Sequence, residues 1–136
     1  MKGRFYMGAK EYNEMEVWFG IADDDLLRAS RLMGFDDLVG AGMHIQQAIE
    51  KYLKGYLVFK GWKLKRIHNL GELLDYAVDY DSSFQEFFDG CIRITDFYLR
   101  GRYPEFISEL LVVKDIEDAY TLAEKIRDKV KQERSI

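Results

Sequence analysis

The stretch HIQQAIEKYLKGYLVFKGW, His44 to Trp62, has the hydrophobic spacing of a long buried helix. Its apolar residues recur at intervals of three and four along one face, as Ile45, Ala48, Ile49, Tyr52, Leu53, Tyr56 and Leu57. A second, polar row follows the edge of that face and consists of His44, Gln47 and Lys51. Such a row can be a ligand site, part of an interface between subunits or the solvent-exposed edge of a core helix. The stretch therefore predicts a helix and leaves the role of its polar edge open.

The same periodicity predicts helices elsewhere in the chain. We expect five of them, over residues 12–33, 36–60, 69–78, 82–102 and from 115 onward. No segment alternates polar and apolar residues over a useful length, so no sheet is expected. Because short connections between long helices favour antiparallel neighbours, we predict an all-α fold, an up-and-down four-helix bundle with a fifth helix.

Two helix starts carry the pattern of a capping box, in which a side chain at the N-cap is followed three residues later by Glu or Gln. Asn69 is followed by Glu72, and Ser82 is followed by Gln85. The third and fourth helices are therefore expected to begin at these positions.

Length and composition indicate one domain. The chain has 136 residues, 48% of them hydrophobic, so we expect a single domain over residues 1–136 with a core at about 12–131. The chain has a single cysteine, Cys91, which excludes an internal disulfide and a multi-cysteine metal site. Cys91 lies on the apolar face of the fourth predicted helix, so we expect it to be an unreactive core residue. No apolar run reaches the ~20 residues of a membrane span. We expect a cytoplasmic protein that does not contact membranes.

The net charge of −4 hides two opposed blocks. Residues 51–66 contain six cations and no acid, and residues 72–89 contain six acids and neither Lys nor Arg. The basic block could meet phosphate or an acidic partner. Alternatively, the two blocks are solvated flanks that dock on each other in a dimer. Nucleic-acid-binding proteins of this size are usually basic overall, and this chain is acidic, which argues against nucleic acid without excluding it as a partner.

Two charges fall on apolar faces of predicted helices. Asp25 lies in the middle of the stripe of the first helix, and Arg102 is in line with the stripe of the fourth helix. A lone buried charge is costly, so each needs a partner or a polar pocket. One interpretation is an ion pair between Asp25 and Arg102. The other is a pocket in which Arg102 binds a phosphate, with His44, Gln47 and Lys51 at its rim.

The remaining sequence carries little catalytic chemistry. His44 and His68 are too few and too far apart for a helical zinc motif, and no glycine-rich phosphate loop is present. His68 directly precedes the Asn69 cap, so its expected role is to fix the entry to the third helix. We expect no metal and no cofactor.

Five segments together resemble the HEPN domain family, whose name stands for higher eukaryotes and prokaryotes nucleotide-binding. The resemblance covers residues 15–130 and rests on ADDDLLRA (22–29), HIQQAIEKYLKGYL (44–57), HNLGELL (68–74), RYP (102–104) and AYTLAEKI (119–126). It implies a bundle of four or five helices, usually a homodimer, often encoded beside a minimal nucleotidyltransferase. The sequence is also similar to the helical C-terminal domain of kanamycin nucleotidyltransferase.

Many HEPN proteins are metal-independent RNases, often toxins of toxin–antitoxin pairs, that use the pattern Arg-x4-6-His. Here no histidine follows Arg102, so that pattern is absent and no catalytic residue is assigned. The positions that do match the family pattern are Gln47, Glu50, Lys51, Arg102 and Tyr103.

The resemblance and the residues together favour a non-catalytic, dimeric partner of a nucleotidyltransferase with a nucleotide or phosphate pocket. The alternatives are an RNase toxin, in which His44 replaces the missing histidine, and a plain helical interaction module. The candidate ligand-binding residues are His44, Gln47, Lys51, Arg102, Tyr103 and Asp25.

Overall fold

A computed structural model describes residues 2–102 and 112–133, and the side chains of residues 9–96 and 112–133. Its α-helices are α1 (Lys2–Gly34), α2 (Leu38–Phe59), α3 (Leu70–Tyr80), α4 (Phe88–Arg102) and α5 (Val113–Gln132). A 3-10 helix, Ser82–Phe87, precedes α4. No strand occurs within these residues. The predicted all-α class is confirmed.

Contacts between helix ends give the directions of the first two helices and the last. The ring of Tyr12 packs edge-on against Phe59, with 6.3 Å between ring centroids, so the earlier part of α1 lies beside the end of α2 and the two helices are antiparallel. Gly42 meets Ile116 near the starts of α2 and α5, whereas Lys60 forms a 3.1 Å ion pair with Glu133 near their ends. Helices α2 and α5 are therefore parallel.

Helix α4 runs in the opposite direction to α2 and α5. Just before α4, Phe84 packs against Tyr56 in the last turns of α2, with ring centroids 4.8 Å apart. Gly90, in the first turn of α4, lies against Leu122 in the middle of α5. The helices α1, α2, α4 and α5 thus alternate in direction, and the short α3 packs against α2 and α4 as a fifth helix. This is the predicted up-and-down bundle.

Helix α2 is the central helix of the bundle. It contacts α1, α3, α4 and α5, and Tyr52, Leu53, Tyr56 and Leu57 are fully buried. Its predicted apolar face is confirmed, but burial extends further around the helix, because Gln46 and Lys54 are only 8% and 4% exposed.

The buried face of α1 is rotated from the predicted one. The spacing in the sequence predicts a stripe of Trp18, Ile21, Ala22, Leu26, Ala29, Leu32 and Met33. Ile21 is instead 42% exposed, while Met15 and Phe19 are buried with Ala22, Leu26 and Ala29. A helix with many aromatic and apolar residues has more than one plausible stripe, and the contact with α2 selects between them. In α4 the same spacing predicts that Ile92 is buried beside Cys91, but Ile92 is 57% exposed.

Helix α1 begins at Lys2, well before the predicted residue 12, and one of the two predicted capping boxes is wrong. The Asn69 cap is confirmed, because its side chain accepts a hydrogen bond from the Glu72 N–H at 3.0 Å. At the next start, however, the cap is Asp81 and not Ser82. Its Oδ1 accepts hydrogen bonds from the Ser83 N–H at 3.0 Å and the Ser83 hydroxyl at 2.6 Å, which lower the pKa of Asp81. With Asp81 as the cap, a 3-10 helix occupies Ser82–Phe87 and α4 begins at Phe88.

The second helix also begins later than predicted, at Leu38. Asp36 has a φ of 60°, which lies in the left-handed region, so it belongs to the turn after α1. Asp37 then caps α2 by accepting the Gly40 N–H at 2.9 Å.

Close packing of α1 on α2 depends on Gly55. A Cβ at this position would lie 2.8 Å from the Phe19 ring and 2.9 Å from the Trp18 Cβ. These contacts are shorter than real carbon atoms allow, and both neighbours are rigidly placed. Only glycine lets the two helices approach this closely here.

We predict that Gly55→Ala lowers the free energy of unfolding by about 1–3 kcal/mol, because the methyl group pushes α1 away from α2. Gly20→Ala is the matched control. Gly20 is an exposed position of α1 with no atom within 4 Å of its added Cβ, so alanine there should stabilise by about 0.4–1 kcal/mol. Urea denaturation measures both changes, and equal effects would contradict the close approach.

Candidate functional site

The polar edge of α2 meets α1 at a buried carboxylate. The Asp25 side chain is only 3% exposed; its Oδ1 lies 3.0 Å from the His44 Nδ1, and its Oδ2 accepts a hydrogen bond from the Lys51 Nζ at 2.5 Å. His44 and Lys51 lie seven residues apart on one side of α2, so both can reach a single residue of the antiparallel α1. The helical rhythm predicts the inward position of Asp25, and the structure shows that its partners are His44 and Lys51. The ligand-binding role of these residues stays a prediction.

A fourth residue, Arg28, completes this group. Its Nη1 lies 3.6 Å from the Asp25 Oδ1, and its side chain is 56% exposed. We call Asp25, Arg28, His44 and Lys51 the Asp25 cluster. Two fixed cations face one carboxylate, so the cluster is net positive even with a neutral imidazole. Sequence reasoning missed Arg28, although its place one turn after Asp25 on the same helix was a usable signal.

The carboxylate also determines how His44 is oriented. An ionised carboxylate can only accept hydrogen bonds. The His44 Nδ1 therefore carries the hydrogen and donates a hydrogen bond to Asp25. The side chain is 30% exposed, and its Nε2 is left for other partners. A neutral ring in this tautomer offers a lone pair at Nε2, and a protonated ring offers a second N–H donor.

Gln47 and Glu50 share α2 with this cluster but differ in surroundings. Gln47 lies between His44 and Lys51 along the edge of the helix and is partly buried. The Glu50 Oε2 instead accepts hydrogen bonds from the Lys54 Nζ at 2.8 Å and the His68 Nδ1 at 2.9 Å. Glu50, Lys54 and His68 form a second group, here called the Glu50 cluster. His68 therefore does more than fix the entry to α3.

Two of the candidate residues were predicted at the end of α4. The helix continues to Arg102, as the expected alignment requires, but the Arg102 side chain and the whole of Tyr103 lie outside the described residues. The proposed Asp25–Arg102 pair stays a prediction. What the described side chains show is that both oxygens of Asp25 have partners on α2.

A third polar group joins α1, α2 and α5. The Tyr52 hydroxyl donates to the Asp23 Oδ1, and the Lys131 Nζ reaches both Asp23 oxygens at 2.9 and 2.8 Å. Burial, followed by the bond to Asp23, raises the pKa of Tyr52 far above its usual range. Tyr52 thus stays protonated, and this group stabilises the packing of three helices.

A reactive cysteine and a metal centre are two kinds of catalytic site that the described residues do not form. Burial raises the pKa of the Cys91 thiol to about 12, so it does not form a nucleophilic thiolate at neutral pH. Residues 2–102 and 112–133 contain no group of three or more His, Cys, Asp or Glu side chains that could hold a metal ion. Within the same residues, no helix combines the length and hydrophobicity needed to cross a membrane.

Comparison with known proteins gives one match. The family model described as HEPN domain matches residues 15–133, which is most of the chain and includes the Asp25 and Glu50 clusters. No curated protein and no solved structure matches.

We predict that Asp25→Ala lowers the free energy of unfolding by about 3 kcal/mol, because it removes the shared partner of Lys51 and His44. This value is at the lower end of the range for breaking a buried ion pair. The Lys51 and His44 side chains are 23% and 30% exposed, so both can turn toward water when Asp25 is removed. Asp24→Ala, at the adjacent exposed position, should change stability by less than about 0.5 kcal/mol. Similar midpoints for the two variants in thermal unfolding would show that Asp25 is not a buried anchor.

Proposed function

Since this chain belongs to the HEPN domain family, we propose that it is a non-catalytic helical partner of a minimal nucleotidyltransferase and holds a phosphate-bearing ligand at the Asp25 cluster. One observation carries the ligand part of the proposal. Arg28, His44 and Lys51 converge on one buried carboxylate and remain partly open to solvent, with 56%, 30% and 23% of their side chains exposed.

The chemistry of the cluster suits a phosphate. Lys51 has three N–H donors and uses one on Asp25, and Arg28 has five donors on a largely exposed guanidinium. Asp25 keeps the cations at a fixed place, so less side-chain freedom is lost when an anion binds. Gln47, on the same edge of α2, can add an amide donor. An arginine fork and an ammonium together recognise phosphate geometry well.

The partnership follows from the family resemblance, and exposed apolar residues support an interface. The outer side of α1 carries Val17, Ile21 and Leu27, which are 63%, 42% and 50% exposed, and Phe35 in the following turn is 83% exposed. Apolar side chains grouped on a surface often mark a protein interface. We propose that the chain forms a homodimer and that a nucleotidyltransferase is its second partner.

RNA cleavage is the second candidate function, and the orientation of His44 favours it. A carboxylate that fixes the Nδ1 proton of a histidine leaves Nε2 as a general base, as in hydrolase triads. Cleavage of RNA without metal also needs a group that protonates the leaving oxygen. Arginine stays charged at neutral pH and cannot serve, and the Asp25 cluster holds one histidine for the two roles. The ligand-binding role needs fewer groups and is therefore preferred.

The ligand proposal is tested by calorimetric titration of ATP and AMP into the wild type and three single variants, Lys51→Ala, Arg28→Ala and Arg102→Ala. We expect Lys51→Ala and Arg28→Ala each to weaken nucleotide binding at least tenfold, and Arg102→Ala to do so if its side chain enters the same pocket. Lys114→Ala is the control, since Lys114 is 79% exposed on α5. Circular dichroism confirms that each variant is folded.

Two results would contradict this proposal. Absence of nucleotide binding by the wild type would rule out the ligand site. Incubation with a short RNA, followed by gel electrophoresis, should leave the RNA intact. Cleavage that His44→Ala abolishes and Lys114→Ala does not would establish the second candidate function instead.

Dimerisation is tested separately by sedimentation equilibrium at micromolar concentration. The wild type should show twice the chain mass of 16.0 kDa. Val17→Asp combined with Ile21→Asp should give monomers, because charges on the outer side of α1 would have to be desolvated in the interface. A monomeric wild type would remove the dimer from the proposal.

A further inference from the structure

The segment between α2 and α3 presents a row of cations to solvent. Residues 60–68, here called the basic loop, contain four Lys or Arg residues, one histidine and no acid. Gly61, at a φ of +95°, turns the chain out of α2, and residues 62–69 then form neither helix nor strand. Lys63, Lys65 and Arg66 are exposed. They follow one another within four residues of an irregular segment.

The loop is fixed to the bundle near each end. Trp62 packs against Tyr76 of α3 with ring centroids 5.5 Å apart, and the Lys65 Nζ lies 5.1 Å from the centre of the same Tyr76 ring. At the other end, the His68 Nδ1 is held by Glu50, whose side chain is only 13% exposed. The loop is thus held in place while its cations stay outside.

The charges of the loop are only partly neutralised. Lys60 is paired with Glu133. Neither Lys63 nor Arg66 forms an ion pair with any residue that the structure describes. His68 is oriented by Glu50 and keeps 73% of its side chain exposed, so its Nε2 is available to an outside group. These are groups with charge and donors that the fold itself does not use.

We propose that the basic loop binds the phosphate backbone of a single-stranded nucleic acid. Lys, Arg and histidine N–H groups are the usual donors to phosphate oxygens, and contacts of this kind hold a strand without reading its sequence. Cations spread along an irregular loop match successive phosphates better than one compact anion. This site is separate from the Asp25 cluster and does not depend on the function proposed there.

An acidic protein surface is the competing occupant, and the composition of the loop argues against it. Protein interfaces have an apolar centre and contain few lysines. The loop exposes one large apolar side chain, Leu64 at 56%, between Lys63 and Lys65. Phosphate contacts need no apolar centre. The rest of the chain is acidic, so repulsion elsewhere would direct a polyanion to this loop.

The test measures fluorescence anisotropy of a labelled single-stranded RNA of about 12 nucleotides with the full chain. The test variant is Lys63→Ala combined with Arg66→Ala. The control is Lys114→Ala combined with Lys125→Ala, which removes the same charge from exposed positions of α5. We expect the test variant to bind at least tenfold more weakly at 50 mM salt and the control to stay within twofold of wild type. The slope of log affinity against log salt should fall in magnitude by about 1.4 for two lost contacts.

The other outcomes overturn the proposal. Equal loss in the test and control variants would mean that only total charge matters, and no binding by the wild type at 50 mM salt would exclude the site. Poly-glutamate of matched charge that competes as well as unlabelled RNA would assign the loop to an acidic protein. ATP titration of the same loop variant should be unchanged, which separates this result from failure at the Asp25 cluster.

Discussion

The burial of a single carboxylate constrains how α1 and α2 pack. Asp25 is almost completely buried, and a charge there is tolerated only because Lys51 and His44 meet it from α2. Those bonds require one register between α1 and α2. About one turn beyond Lys51 along α2, Gly55 requires the same two helices to lie close together. The pairing sets the register and the glycine sets the distance, and the remaining helices pack around this hairpin.

Helix periodicity accounts for what could be predicted from the sequence. It placed Asp25 among buried residues, it identified the polar edge of α2, and it gave the class and number of helices. It could not identify the partner of Asp25, because the register between two helices is a property of their packing and not of either helix alone. The same limit explains Ile21, which lies outside the buried face that α2 selects. Asp81 was missed because Ser82 and Gln85 fit a capping box, and Asp and Ser are about equally favourable as caps, so the sequence does not decide between the neighbours.

Helix α2 contributes one member to each of two carboxylate–imidazole pairs, which lie in different environments. His44 is held by Asp25 of the neighbouring helix and is mostly covered, whereas His68 is held by Glu50 and is mostly exposed. The first pair belongs to a compact group with converging cations, and the second supports a loop with dispersed cations. The HEPN match spans both, so one central helix organises two surfaces of different chemistry. A compact group suits a small phosphate ligand, and a dispersed row suits a polymer.

The group formed by Asp23, Tyr52 and Lys131 bears on the order of folding. Asp23 and Lys131 are separated by 108 positions in the chain, so their contact closes nearly the whole polypeptide into a loop. By contrast, α1 and α2 are joined by a turn of three residues, and their mutual contacts cost little loop entropy. Local contacts form faster than distant ones. The α1–α2 hairpin can therefore assemble early and present the paired Asp23 and Tyr52 as a ready acceptor, onto which α5 docks late.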